Sequence, residues 1–313
     1  MPHQADMVFV LATLPILLTL FCGYLVTVTK MVPRDHWEGI NTLSFRLLIP
    51  VVLVKSIAFS DLSAVSGAWV LALLATLGVA AAAVLVVRLL ADRQRLSDPA
   101  FTSLFQGATR WNAFIALAAA ELFVGRGGLA LLAVGMAVLV PVINVVNIVV
   151  LVIYGTARTS LKGIVTSILM NPMVQGCVLG LALNLSGLPL PGFAVQTLDL
   201  IGRAALGVGL LAVGAGISLR RLVDISAPLA LGVLIRPVLS PLLFLAIGAA
   251  VGLTVEETLA GSLIFIVPAA ANGYVVARKM GGDADLYADI MTWQTLLSMA
   301  LMPALAAGIT RFF

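Results

Sequence analysis

Pro268, Asn272 and Gly273 interrupt an apolar run, SLIFIVPAAANGYVVARKMGG (262–282), that is otherwise long enough to cross a bilayer. A proline there removes one helical hydrogen bond and clashes with the preceding turn. Asn and Gly are the residues that best tolerate the break that follows. In lipid, broken backbone persists only where protein or a water-filled cavity receives the freed groups. A Gly/Pro-interrupted membrane segment is therefore a pointer to a transporter's binding site. The chemistry it offers is recognition: the N-terminus of a half-helix presents free N–H groups and partial positive charge, which suits an anion. A kinked structural helix is the plainer reading. A second polar-interrupted stretch, RWNAFIALAAAEL (110–122), tips the balance towards a site.

Around these two stretches lie the candidate residues. Asn112 and Asn272 are expected to cap the broken ends and face a substrate, neutral amides doing so without a buried charge; the alternative role for both is helix–helix hydrogen bonding. Tyr274 is a potential donor to a carboxylate. Arg110 shares a polar face with Ser103, Gln106 and Asn112, and is a candidate for a substrate carboxylate or a movable counter-ion. Asn144, Asn147, Thr292 and Gln294 put further polar groups near the breaks, to coordinate an ion or water or to tie helices together. The basic residues within spans (Arg46, Lys55, Arg110, Arg203, Arg236) outnumber the acids (Glu121, Asp199, Asp289), which fits an anion as cargo. Asp199 and Arg203, four apart on one helix face, read as a structural pair.

Other chemistries are disfavoured. His3 and His36 are remote from any Cys, Asp or Glu at ligand spacing, so neither metal nor cofactor is expected. Cys22 and Cys177 lie inside apolar runs as free thiols. An enzyme would need a nucleophile–base or metal constellation, and a receptor a soluble output domain. Neither is visible, and no catalytic residue is assigned.

With 61% hydrophobic and 10% charged residues and a mean hydropathy of +1.14, the chain is expected to be an all-α polytopic membrane protein. Run 7–28 lacks a basic n-region and a small-residue cleavage site, and reads as a first span, not a signal peptide. Ten transmembrane helices fit: 7–28, 38–59, 67–90, 99–123, 129–154, 169–187, 195–219, 227–251, 258–280 and 286–309. Ser97-Asp98-Pro99 signals a helix start, and Gly281-Gly282 a helix end. The net charge of +4 and pI near 9.4 reflect basic loops, not nucleic-acid binding. Lys30, Arg34, Arg88, Arg93, Arg95, Arg158, Lys162, Arg220, Arg221, Arg278 and Lys279 all fall on one side, against Arg126 and Arg311 on the other. By the positive-inside rule both termini lie outside.

The halves repeat. A shift of 157 residues lays Pro15 on Pro172, Gly23 on Gly180, Arg46 on Arg203, Gly125 on Gly282 and Leu129 on Leu286. The expected organisation is a 5+5 inverted repeat: residues 1–154, a short cytoplasmic linker at 155–168, and residues 169–313. The shift makes 110–122 the counterpart of the Pro268 segment.

At this point a resemblance emerges. NPMVQGCVLGLALNLSGLPLP (171–191), LDLIGRAALGVGLLAVGAGISL (198–219), RWNAFIALA (110–118) and VPAAANGYVVARKMGGDADL (267–286) together resemble the auxin efflux carrier family. The resemblance implies helices 1, 2, 6 and 7 as scaffold and homodimer contact. It also implies a transport bundle of helices 3–5 and 8–10, with broken crossover helices 4 and 9 meeting at the substrate. Its cargoes are organic anions (malonate, malate, auxin-like acids), moved by an elevator mechanism. The short linker, in place of the long central loop of plant exporters, points to a bacterial-type carrier in the inner (plasma) membrane. The first crossover lacks a proline, so a gentler bend is expected in helix 4. A sodium-coupled symporter of the bile-acid type is the runner-up. Sparse acids at the crossover favour a proton as coupling ion over sodium.

Overall fold

Apolar runs of two dozen residues with few charges can satisfy their backbone in lipid only as helices. The computed structural model has that form. It describes all residues except 1, 34, 63–64, 93, 156–159, 218, 220–224 and 313, and the described residues contain helices and turns but no strand. Of the expected basic loop residues, Arg34, Arg93, Arg158, Arg220 and Arg221 lie outside the described set.

In chain order the helices are α1 (Pro2–Val28), α2 (His36–Leu43), α3 (Ile49–Ala58), α4 (Gly67–Leu90), α5 (Asp98–Thr109), α6 (Ala113–Phe123), α7 (Arg126–Tyr154) and α8 (Leu161–Leu169). They continue as α9 (Pro172–Ser186), α10 (Gly192–Ala215), α11 (Ala227–Leu234), α12 (Ser240–Val251), α13 (Val255–Ile266), α14 (Asn272–Met280) and α15 (Ala284–Phe312). A widened π-helical turn, Ser44–Leu48, joins α2 to α3, and another, Ile235–Leu239, joins α11 to α12. Seven units are long and apolar enough to cross a membrane: α1, α2–α3, α4, α7, α10, α11–α12 and α15. The other three expected spans fall on the 15-residue α9 and on the interrupted pairs α5/α6 and α13/α14.

Local signals behave as their chemistry dictates. Ser97 caps α5 by accepting from Ala100 N–H, and Gly281 ends α14 in the left-handed conformation at φ +80°. Within the expected linker at 155–168, α8 starts at Leu161. One expectation needs correction. Asp199 does not pair with Arg203: its carboxylate accepts from Lys55 on α3, a cross-helix partner that one-helix spacing could not reveal.

Two helix pairs make similar close contacts. α1 lies along α10, and α9 along α3. A methyl group on Gly23 would stand 2.1 Å from Leu211 O, and one on Gly180 would stand 3.1 Å from Val54 O. The shift that carries Gly23 to Gly180 also carries Val54 to Leu211. The same glycine-to-backbone approach is thus made twice with the two halves exchanged. The remaining long elements, α4, α5, α7, α11–α13 and α15, pack mainly on one another around buried Trp69, Phe101, Phe105, Phe244 and Phe265.

Candidate functional site

The two interruptions meet. α5 stops at Thr109, Arg110 is extended (φ −76°, ψ 152°), and α6 starts at Ala113. α13 stops at Ile266 and α14 starts at Asn272. Asn112 N–H donates to Pro268 O at 2.8 Å, so a single backbone hydrogen bond stitches break to break. The first break is a true interruption of the helix even without a proline. Asn112 supplies what the missing proline would not: its Oδ1 accepts from Phe114 N–H (3.1 Å) and Ile115 N–H (3.2 Å), which starts a new helix. Asn272, by contrast, does not cap. It is the first residue of α14, the capping position is Ala271, and the buried Oδ1 of Asn272 has no partner.

Breaking a helix orphans carbonyls at its C-terminal end. Ile264 O would accept from residue 268 in a continuous helix, but Pro268 has no N–H. Ala108 O loses Asn112 N–H to Pro268 O. Both are taken up by Arg236, in the π-helical turn between α11 and α12. Its Nη2 donates to Ile264 O (2.5 Å), Nη1 to Ala108 O (3.2 Å) and Nε to Val267 O (3.0 Å). Gln294 of α15 does comparable work with an amide. Nε2 donates to Gly107 O (3.0 Å) and Gly232 O (2.8 Å), and Oε1 accepts from Ala269 N–H (2.8 Å). Ser298 donates to Ile266 O (2.5 Å) and Tyr287 to Ala270 O (2.6 Å). The broken backbone is therefore clamped from one side by α11–α12 and α15.

The other side is open. A cavity of about 1870 Å³ is lined by Arg110, Trp111, Asn112 and Phe114 from the first break and by Ala270, Ala271, Asn272 and Tyr274 from the second. Asn144 of α7 and Arg46 also line it, with Asp35, Glu38, Arg278, Lys279 and Asp285 exposed towards the mouth and Asp289 half-buried. Arg110 is buried at its floor, with Nε donating to Gln106 Oε1 at 3.0 Å. Among the described residues no carboxylate forms an ion pair with it. The N-terminal ends of α6 and α14 face the same space, so a buried guanidinium and two helix N-termini converge on one volume.

The sequence-predicted residues thus divide. Asn112, Asn272, Arg110, Tyr274 and Asn144 gather at the cavity. Gln106 is buried behind Arg110, holding it. Asn147 is fully buried and ties α7 to the end of α5, donating to Thr109 Oγ1 (2.9 Å) and Ile143 O (2.8 Å). Thr292 is buried in α15, and Gln294 is engaged with backbone on three sides. Pro268 and Gly273 are not among the lining residues. Gly273 is instead required by Tyr287, whose Oη would lie 2.1 Å from a Cβ there. Sequence reasoning gave no role to Arg236, Ser298 or Tyr287. The proline at 268 was the available signal, since it leaves one carbonyl in need of a distant donor.

An all-helical chain with seven bilayer-length apolar units and a polar cavity reaching broken helices is a multi-pass membrane transport protein. A family model described as "Membrane transport protein" matches residues 8–120 and 156–306, and the chain belongs to that family, the auxin efflux carrier family of transporters. Among curated proteins none matches the chain in sequence.

Proposed function

We propose that this chain is a secondary transporter of small organic anions, carboxylates such as malonate, malate or auxin-like acids, working by elevator-type alternating access. The carrying observation is that buried Arg110, which forms no ion pair with any described residue, lines one cavity with the N-terminal residues of α6 and α14. The cavity wall bears both signs of charge, so the preference for an anion rests on those groups and not on net charge. Asn112, Asn272 and Tyr274 offer polar contacts beside it. The architecture behind this reading is ten spans as a 5+5 inverted repeat, with α5/α6 and α13/α14 as crossover helices. The exchanged glycine contacts between α1 and α10 and between α9 and α3 support the repeat. Those four units, with α2, are the scaffold and the homodimer face, and the rest form the moving bundle. Both termini lie outside a bacterial inner membrane. The cavity mouth, which carries Arg278 and Lys279, then opens to the cytoplasm.

The test is uptake of labelled malonate, malate and indole-acetate into proteoliposomes, with proton or sodium gradients imposed. Saturable flux of at least one anion is expected, driven by a proton gradient or by none. Arg110→Gln should reduce it roughly 10- to 100-fold, the equivalent of one charge-assisted hydrogen bond of about 1.5–3 kcal/mol. Flux driven only by sodium would favour the bile-acid type of symport. Unchanged flux in Arg110→Gln would remove the anion site from this floor.

A further inference from the structure

The cavity-facing side of the crossing accounts for Arg110; it does not account for Arg236. That residue is 1% exposed, forms no ion pair with any described residue, and aims all of its bonded nitrogens at main-chain oxygens. Arginine stays protonated under ordinary conditions, so this is a full positive charge sealed inside the protein. Its three acceptors are the terminal carbonyls of α5 and α13, where two helix dipoles place partial negative charge. A ring of helix-end carbonyls from broken helices is also the arrangement by which membrane carriers coordinate a metal cation. Here the side chain fills it.

We propose that Arg236 is a resident cation of the crossing. It does covalently, in every step of the cycle, what a bound monovalent metal ion would do: neutralise two opposed helix C-termini and hold the breaks together. On the transporter reading this makes the carrier independent of sodium, because the place a coupling cation would take is occupied by the chain itself. The guanidinium suits the task because its planar fork reaches three carbonyls at once, where an ammonium is a point charge. The π-helical turn Ile235–Leu239 carries both Arg236 and Pro237 at the crossing.

The test is thermal unfolding of purified, detergent-solubilised protein in sodium, potassium, ethylguanidinium or choline chloride at equal ionic strength. No substrate is present, so the result is independent of whether any anion is transported. Wild-type protein should melt alike in sodium, potassium and choline. Arg236→Ala should melt lower, and sodium or ethylguanidinium should restore several degrees over choline in a saturable manner. Arg236→Lys, which keeps the charge, should fold and stay indifferent to the cation. Sodium-specific stabilisation of the wild type would show that the site is not filled and would overturn the proposal. So would Arg236→Ala that folds but responds to neither cation. If Arg236→Ala yields no folded protein, Arg236→Lys decides. Folded lysine variant supports the proposal, and its loss shows that geometry and not charge is required.

Discussion

The two breaks meet at one backbone hydrogen bond and are built by different means. The first spans three residues, 110–112, has no proline, and is started again from within by Asn112. The second spans five, 267–271, has Pro268 and has no side-chain cap at α14. Its free groups are met from outside by Arg236, Gln294, Ser298 and Tyr287. The carbonyl ends of both are met from outside, Ala108 O by Arg236 and Gly107 O by Gln294 in the first, but only the first break restarts its next helix with a side chain of its own. A cap acts at the N–H end of a helix and cannot serve the carbonyl end, so the donors there come from neighbouring helices at both breaks; Pro268 adds to the demand by removing the N–H that Ile264 O would have accepted.

The comparison predicts unequal responses to mutation. The largest effect belongs to Gln294→Leu, which strands Ala269 N–H and the carbonyls of Gly107 and Gly232 in a dry interior. Each buried unsatisfied group costs about 1–3 kcal/mol. Folded yield should collapse or the melting temperature fall further than in Asn112→Ala, because Gln294 serves both breaks. Glutamate would keep the acceptor but lose both donors, and should rescue only in part. Next comes Gly273→Ala. The added methyl meets the buried Tyr287 hydroxyl and ring, which are anchored on Ala270 O. Overpacking of that kind costs about 1–3 kcal/mol, to be read as a lowered melting temperature.

Much of this architecture was legible beforehand because membrane insertion makes patterning strict. Apolar runs, Ser97 and Gly281 marked the helices, and Pro268 with Asn272 and Gly273 marked the second break. The first break was legible in its place and in its cap, Asn112, but not in the distant donors that meet its carbonyl end. Three-dimensional partners were hidden. Lys55 meets Asp199 across helices far apart in sequence. Arg236 reaches residues 108, 264 and 267, a set that no local spacing encodes. Gln294 was anticipated near the site, yet its role as a three-way tie depends on where α15 runs relative to both breaks.

The sharpest form of the comparison sets the two asparagines side by side. Both were expected to cap and to face substrate; both line the cavity, and only Asn112 caps. Asn112→Ala deletes an N-cap and should cost about 0.5–2 kcal/mol of stability, with Asn112→Asp or Asn112→Ser retaining most of it. Asn272→Ala removes an oxygen with no protein partner, so its unfolding free energy should stay within about 0.5 kcal/mol of wild type, as for a change that breaks no network. A buried acceptor left unsatisfied beside the cavity is instead available to a ligand that brings a donor, such as a protonated carboxylic acid or a hydroxyl. Uptake in Asn272→Ala should therefore fall through a raised KM while the protein stays as stable as before. A stability loss at Asn272 equal to that at Asn112 would mean that the second break, too, restarts its next helix from within, and the contrast between the breaks would disappear.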